Sequence, residues 1–297
     1  MSQPDYFNDG NGRVCKLLKS LYGLKQSPLL WYLALNDVLV GAGWKKSQVD
    51  EALYFKVGEG GVACWVLVYV DDLLAASSSV AMLKELKELL EAAFELREIS
   101  PVQKYLGLEI VHDRSAGKLW LHQQGYADKL RTAGGVPAEG RLAAVRGDDD
   151  EAGHRLRLQQ AGERPHGEKQ QHWREVDRCL AYLANTRDTA LEFSGGCESL
   201  ELVGYVDADD AGDKQNRTST SGYVFIYGEA AVSWSSQRIK CATLSPTESE
   251  YVAATEGGKD GRRLRFLLAE FRQLDAGNPT VLRMDNKSAI TVAKGMG

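Results

Sequence analysis

The amino-acid sequence predicts a mixed α+β or α/β protein built from two domains. Strand-like runs and helical patterns occur in both halves, the chain has 297 residues, and 43% of them are hydrophobic. That length and apolar content allow one large or two ordinary globular domains. The character of the chain changes sharply between the halves, which favours two.

The first half carries two predicted helices with strand-like runs between them. One helix starts at Ser27, placed to cap it, with Pro28 at the first helical position, and glycines at 41 and 43 mark its end. The other spans 79–94, where leucines form one stripe and lysines and glutamates form the opposite face. The apolar run 62–70 is a predicted buried strand, because it is far shorter than the roughly 20 residues of a membrane span.

The stretch between the halves lacks the residues that build a core. From Ala127 to His172 there is no Phe, Trp, Tyr or Ile, and an acidic block stands at 148–151. Segment 133–170 is therefore predicted to be a degenerate or flexible linker. Order is expected to resume in a connecting helix region at 171–197.

The last part, 198–297, follows the order β, β, β, α, α, β, α, which is typical of a mixed domain. It begins strand-like near residue 200, and a hairpin follows around Gly228. Ser245-Pro246-Thr247-Glu248 has the spacing of a capping box that begins a helix, with Glu248 reaching back to the backbone amide of the cap. A separate helical stripe at 264–271, a short strand at 281–284 and a final helical turn from Asn286 complete the pattern.

Composition limits the classes of protein that fit. A net charge of -5 gives no whole-chain attraction to nucleic acid, so any such binding would depend on local basic clusters. The five cysteines are scattered without a CxxC pair, which indicates neither a disulfide framework nor a zinc site. No signal peptide or membrane span is recognisable, so an intracellular protein, cytoplasmic or nuclear, is expected.

Two adjacent carboxylates form the sharpest local signal of the first half. Tyr69-Val70-Asp71-Asp72 ends an apolar strand and another apolar segment follows directly, which predicts a hairpin with an acidic tip. Two carboxylates held there are suited to bind Mg²⁺ and leave positions for water and triphosphate. The competing interpretation is a turn in which aspartates are favoured for backbone tolerance alone.

Three acidic residues of the second half stand at strand ends or on an early helical turn. They are Asp207 in Gly-Tyr-Val-Asp-Ala-Asp, Glu250 in Thr-Glu-Ser-Glu-Tyr-Val-Ala and Asp285 in Arg-Met-Asp-Asn. Three carboxylates brought to one place would form a two-metal nuclease site, although each one taken singly is better explained as a surface acid. Glu250 is preferred over Glu248, which has the capping role, because Glu250 lies about 200° further round the helix.

Four motifs of the first half, in order, resemble the reverse transcriptase of copia-type retrotransposons. They are Leu-Tyr-Gly-Leu-Lys-Gln-Ser-Pro at 21–28, Trp31-Tyr32, Tyr-Val-Asp-Asp at 69–72 and Tyr-Leu-Gly-Leu-Glu-Ile at 105–110. The resemblance implies a partial palm over 1–132, with Asp71 and Asp72 as catalytic metal ligands and Gln26 as a template or nucleotide contact. It also implies that the fingers and the first catalytic aspartate are absent, so the polymerase half is expected to be inactive.

The second half resembles the RNase H domain that follows copia-type reverse transcriptases. Besides the three acids, the matching motifs are Thr-Ser-Thr-Ser at 218–221, Ser-Trp-Ser-Ser at 233–236 and Asp-Asn-Lys-Ser-Ala-Ile at 285–290. The resemblance implies that Asp207, Glu250 and Asp285 are catalytic and bind two Mg²⁺ ions. A fourth metal-site residue is expected beyond the end of the chain, so the domain is expected to be truncated.

Basic residues beside these motifs are the candidate phosphate contacts. Lys25, Arg262 and Arg263 are expected to bind substrate, although a solvated helix face explains each one singly at least as well.

Two functions remain open. One is a fragment of an RNA-directed DNA polymerase with residual RNase H activity, acting on primer-template or RNA:DNA hybrid and ancestrally on deoxynucleoside triphosphates. The other is a catalytically inert retroelement relic or a weak nucleic-acid-binding protein.

Overall fold

The computed structural model describes residues 3, 5–7, 10–21, 23–96, 101–133, 178–197, 200–212, 217–271 and 279–295. The chain divides into two compact units, Met1–Pro101 and Val102–Gly297. The predicted mixture of helices and sheets is confirmed. The finer predicted boundaries of the domains stay a prediction, and nearly all of the predicted linker lies outside the described residues.

The first unit combines one antiparallel sheet with two helices. The strands, in spatial order, are β1 (Lys45–Lys46), β2 (Leu53–Val57), β3 (Ala63–Tyr69) and β4 (Asp72–Ser77). The helices are α1 (Ser27–Gly41) and α2 (Val80–Ala93), and short 3-10 turns occur at Asp5–Phe7 and Glu59–Gly61. Side chains from α1, α2, β2 and β3, together with Trp44 between α1 and β1, form a shared core, which consists of Leu35, Leu39, Trp44, Tyr54, Cys64, Val66, Val68, Leu86 and Leu90.

Both predicted helices of this unit are present, but the start of the first needs correction. Ser27 is the first residue of α1 and Gln26 is its N-cap. The Ser27 hydroxyl donates to the carbonyl of Leu21 and therefore does not cap the helix. In α2 the N-cap is Ser79, whose hydroxyl accepts a hydrogen bond from the Met82 amide at 3.4 Å.

The second unit begins with a small antiparallel sheet. Its strands are β5 (Lys104–Tyr105), β6 (Leu108–Asp113), β7 (Lys118–His122) and β8 (Leu191–Ser194), in that order. Helix α3 (Gln124–Ala133) follows β7, and residues 178–185 form a further helix, α4. Most of α3 lies in the stretch without aromatic residues, which the composition predicted to be largely linker.

A second sheet in this unit carries the predicted acids. Its spatial order is β11 (Ala230–Arg238), β10 (Thr220–Tyr227), β9 (Val203–Asp209) and β12 (Val281–Arg283). β12 runs parallel to β9, whereas the other pairs are antiparallel. The predicted hairpin is confirmed, and its two turn residues, Gly228 and Glu229, have φ angles of 58° and 67°, as a type I′ turn requires.

One continuous helix, α5 (Pro246–Glu270), replaces the two helices predicted over this region. The glycines that interrupt the helical pattern are points of close packing: a Cβ at Gly257 would lie 2.6 Å from Val206 Cγ1, and one at Gly261 would lie 2.7 Å from Phe225 Cζ. A final helix, α6 (Lys287–Gly295), follows β12. Of the helices in the described residues, none is both long and apolar enough to cross a membrane.

Candidate metal centre

The three acids predicted in the second half arrive from three different elements. Asp207 lies on β9, Glu250 lies near the start of α5, and Asp285 lies two residues after the end of β12. Because β9 and β12 are parallel neighbours, the chain leaves both strands at the same edge of the sheet. Each residue offers a carboxylate oxygen, and these oxygens all lie within 4.8 Å of one another.

The start of α5 is fixed by a capping arrangement that leaves Glu250 available to the cluster. The Ser245 hydroxyl accepts a hydrogen bond from the Glu248 amide at 3.2 Å. Glu248 Oε2 accepts one from the Leu244 amide at 2.7 Å, one residue earlier than the predicted partner. Glu248 therefore has the structural role expected of it, and Glu250 is the acid that joins Asp207 and Asp285.

Glu250 sits in an unfavourable electrostatic environment. Its side chain is buried, with the residue only 6% exposed, whereas Asp207 and Asp285 are exposed. Burial, together with the negative charges of Asp207 and Asp285, raises the pKa of Glu250 to about 7. Its Oε2 atom is buried without a hydrogen-bond partner.

These residues fit a hard divalent cation. A buried carboxylate oxygen without a donor, facing two more carboxylates, is stabilised when a cation neutralises the cluster. Oxygens bound to one Mg²⁺ or Ca²⁺ ion at about 2.0–2.6 Å lie up to about 4–5 Å apart, which matches the 4.8 Å limit here. In the part of the chain that the structure describes, no other group of three or more potential ligands is this close.

The acidic hairpin of the first unit is formed as predicted. Its two acids lie in a different environment from that of Asp207, Glu250 and Asp285. Tyr69 pairs with Asp72, so Val70 and Asp71 form a two-residue turn between β3 and β4. Asp71 and Asp72 are exposed. Within the described residues, no third His, Cys, Asp or Glu completes a ligand group with them.

The tip of this hairpin is held by α1. The Trp31 indole N–H donates a hydrogen bond to the carbonyl of Val70. Trp31 is itself packed edge-on against Phe94, with ring centroids 4.9 Å apart. Two motifs noted separately in the sequence are therefore in direct contact, which the local patterns did not predict.

The predicted substrate-binding side chains are exposed, two of them before α1 and two on α5. Lys25 and Gln26 are exposed immediately before α1. On α5 the Arg262 guanidinium lies 5.6 Å from the centroid of the Phe266 ring. Arg263 donates from Nε to Asp260 Oδ1 at 3.0 Å, so a local ion pair accounts for its position. Binding of substrate by these residues stays a prediction.

One pair of residues beside the cluster was not predicted. Arg283 and Tyr205 are register partners on β12 and β9. The guanidinium carbon lies 5.5 Å from the ring centroid, and Nη1 lies 3.5 Å from the hydroxyl oxygen. Each residue precedes an acid of the cluster by two positions, so the period of two along a strand was a usable signal.

Comparisons with known proteins identify relatives of the whole chain. Residues 1–136 match the family model described as Reverse transcriptase (RNA-dependent DNA polymerase). The chain is 33% identical over 332 residues to the Retrovirus-related Pol polyprotein from transposon TNT 1-94 of Nicotiana tabacum, covering 99% of this chain and 25% of that protein. It is 31% identical over 325 residues to the Pol polyprotein from transposon RE2 of Arabidopsis thaliana, covering 97% of this chain and 22% of that protein.

The chain therefore spans about a quarter of the length of these relatives: the matches cover 25% of the first protein and 22% of the second. A similar solved structure is the foamy viral protease-reverse transcriptase in complex with dsDNA. That match has 16% sequence identity and a TM-score of 0.43, and it covers 92% of this chain and 53% of the other.

Proposed function

Because this chain belongs to the copia-type retrotransposon Pol polyproteins, we propose that its second unit is a metal-dependent nuclease of the RNase H type. It hydrolyses the RNA strand of RNA:DNA hybrids. The observation that carries this proposal is the approach of Asp207, Glu250 and Asp285 within 4.8 Å. The buried Oε2 of Glu250, which has no hydrogen-bond partner, supports a cation as the ligand of this cluster.

The three carboxylates have distinct tasks in this proposal. Asp207 and Asp285 would hold Mg²⁺ from the ends of the strands, and Glu250 would hold it from the helix. Bound Mg²⁺ supplies activation of water and neutralisation of the leaving oxygen. Glu250 has to release its proton before it binds, because its pKa is raised to about 7. The exposed side of the cluster, at Asp207 and Asp285, is where the phosphodiester approaches.

The first unit is, in the same proposal, a reverse-transcriptase-like segment without polymerase activity. Asp71 and Asp72 are exposed at the hairpin tip, and the described residues supply no third ligand beside them. In-line transfer of a nucleotide requires metals that are held between several carboxylates. Lys25, Gln26, Arg262 and Arg263 remain the proposed contacts to nucleic acid.

A cleavage assay on the full chain tests the nuclease proposal. With Mg²⁺ and an RNA:DNA hybrid labelled on the RNA, we expect metal-dependent cleavage that Asp207→Asn abolishes. Glu229→Gln, which removes an exposed carboxylate in the turn between β10 and β11, should cleave like the parent chain. Absence of cleavage by the parent, or full cleavage by Asp207→Asn, would contradict the proposal and favour the inert relic.

Primer extension tests the assignment of the first unit. We expect no extension by the full chain with Mg²⁺, a primer-template and deoxynucleoside triphosphates. Extension that Asp71→Asn abolishes would show that the hairpin acids do form a working polymerase site.

A further inference from the structure

The sheet that carries Asp207 packs one face against α5, and in the described part of the chain its other face carries exposed side chains. Val206 is on the packed face, where a Cβ at Gly257 would lie 2.6 Å from its Cγ1. Side chains alternate along a strand, so Tyr205 and Asp207 lie together on the opposite face. Tyr205 is 42% exposed, and Asp207 is exposed as well.

The register of the sheet extends this second face across all four strands. Tyr205 is paired with Arg283 on β12 and with Val224 on β10, and Val224 is paired with Trp234 on β11. We call Arg283, Tyr205, Val224 and Trp234 the aromatic row. Trp234 is 45% exposed, and two strand spacings of about 4.8 Å separate the positions of the two aromatic residues.

The neighbouring row leads directly to the metal centre. It consists of Asp207, Gly222 and Ser236, which are register partners on β9, β10 and β11. A Cβ at Gly222 would meet only backbone oxygens, at 3.8 Å and 3.9 Å. No side chain projects from the sheet at Gly222 beside Asp207, so the aromatic row adjoins a part of this face without a large side chain, next to the carboxylates.

The chemistry of the aromatic row suits a nucleic-acid strand. Aromatic rings with exposed faces stack on bases of any sequence, and a guanidinium binds phosphate. The Arg283 guanidinium over the Tyr205 ring supplies positive charge two residues before Asp285. Positive charge at that place offsets repulsion between a phosphodiester chain and the three acids.

We propose that the aromatic row binds an unpaired nucleic-acid strand that adjoins the hybrid at the metal centre. The strand has to be unpaired, because the bases within a duplex are already stacked on one another. Tyr205 and Trp234 stack on bases, and Arg283 binds phosphate. This inference rests on the proposed function and names a feature of its substrate, a hybrid with a single-stranded tail.

Binding of two labelled hybrids to the full chain tests the inference. One hybrid is blunt and the other carries a single-stranded tail, and fluorescence anisotropy is measured in EDTA so that no cleavage occurs. We expect the tailed hybrid to bind roughly tenfold more tightly than the blunt one, as base stacking on aromatic side chains allows. Trp234→Ala should remove this preference without changing the affinity for the blunt hybrid. Arg283→Gln should weaken binding of the tailed hybrid more than binding of the blunt one and so reduce the preference.

Two further variants separate stacking from general effects. Trp234→Phe keeps an aromatic ring and should retain most of the preference for the tail. Tyr126→Ala removes an aromatic side chain that is 56% exposed on α3, and it should bind both hybrids like the parent chain. If Trp234→Ala loses its fold by circular dichroism, the exposed Arg283→Gln variant still decides the question.

Several results would overturn the inference. One is an absence of preference for the tail in the parent chain, and another is an unchanged preference in Trp234→Ala and Arg283→Gln. Loss of a dimer in Trp234→Ala, measured by sedimentation, with an unchanged preference for the tail would identify the row as a protein interface. Because binding is measured without metal, it stays measurable if the nuclease proposal fails. Cleavage of the blunt hybrid likewise tests the nuclease if the row does not bind a tail.

Discussion

The two acidic regions of this protein arrange their carboxylates differently. Asp71 and Asp72 are adjacent in sequence, project from one hairpin and are exposed. Asp207, Glu250 and Asp285 are far apart in sequence, come from three elements and converge within 4.8 Å. In the first region water screens the charges, whereas in the second the buried Glu250 cannot be solvated.

The comparison shows that proximity in sequence is a poor guide to a metal centre. Two aspartates in a turn are explained by backbone preference alone, even when a motif makes them conspicuous. A buried carboxylate beside two others is costly without a cation, so its presence requires an explanation. The spatial arrangement therefore favours the cluster that the sequence signalled less sharply.

The largest expected difference between the two regions is in the affinity for divalent metal. Asp207→Asn should weaken the tight binding of Mn²⁺ on the order of a thousandfold, because one charge at about 4 Å contributes about 4 kcal/mol at an effective dielectric constant of 20. Asp71→Asn should change this affinity by no more than about fivefold, since within the described residues no third acid completes a ligand group with Asp71 and Asp72. Titration of each full-chain variant with Mn²⁺, monitored by electron paramagnetic resonance, measures both affinities. Equal losses in the two variants would place the tight site elsewhere.

The next largest effect concerns the close packing of α5 against the sheet that carries Asp207. Gly261→Ala would place a Cβ 2.7 Å from Cζ of the buried Phe225 ring, and such overpacking lowers stability by about 1–3 kcal/mol. Gly258→Ala, on the same helix, meets nothing within 4 Å and should raise stability by up to about 1 kcal/mol. Urea unfolding followed by circular dichroism compares them. Equal stabilities would contradict the close approach of helix and sheet.

Metal affinity measured against pH tests how the protonation of Glu250 affects the three-carboxylate cluster. Its pKa in the folded protein is raised to about 7 by burial and by Asp207 and Asp285, and only the ionised carboxylate binds metal. Metal affinity should therefore rise about tenfold per pH unit below pH 7 and level off above it. Isothermal titration calorimetry at several pH values measures this. In Glu250→Gln the rise should disappear, and a rise that persists would assign the proton to another group.

The same raised pKa fixes how stability without metal depends on pH. A carboxyl group whose pKa is higher in the folded state than in the unfolded state stabilises the fold while it is protonated. That contribution is complete below the ordinary value of 4.5 and is lost as the pH rises through about 7. The metal-free chain should therefore lose stability over this range, and saturating Mg²⁺ should reduce the loss.

Much of the fold was predictable because its signals are local. The hairpin of β10 and β11 follows from alternation around Gly228, and the start of α5 follows from Ser245 and Pro246. The length of α5 was not predictable in this way. Gly257 and Gly261 look like interruptions of a helix, but the packing of Val206 and Phe225 requires them.

The three acids of the candidate site were identified from the sequence, but their convergence depends on non-local pairing. The parallel alignment of β12 with β9 joins residues about 80 positions apart, as in the pair Arg283 and Tyr205. No periodicity within either strand specifies that partner. The contact from Trp31 to the Val70 carbonyl was missed for the same reason.

The smallest predicted effect concerns strain in the hairpin. Val70 has a φ angle of 53°, and this left-handed conformation costs an L residue about 1–2 kcal/mol. Glycine adopts it without that cost, so Val70→Gly should raise the stability of the first unit by about 1 kcal/mol despite the flexibility it adds to the unfolded chain. Val70 is half exposed, so little packing is lost. Urea unfolding followed by tryptophan fluorescence measures the change.

Val57→Gly is the matched control, because Val57 is a half-exposed residue of β2 that is not among the residues with positive φ. There the same substitution should lower stability by about 1 kcal/mol, since glycine in a strand loses more conformational freedom on folding. Opposite signs for the two variants would show that the acidic hairpin carries backbone strain, whereas the three-carboxylate cluster carries unfavourable charge. Equal destabilisation would mean that Val70 is not strained, and the hairpin would then be an ordinary turn.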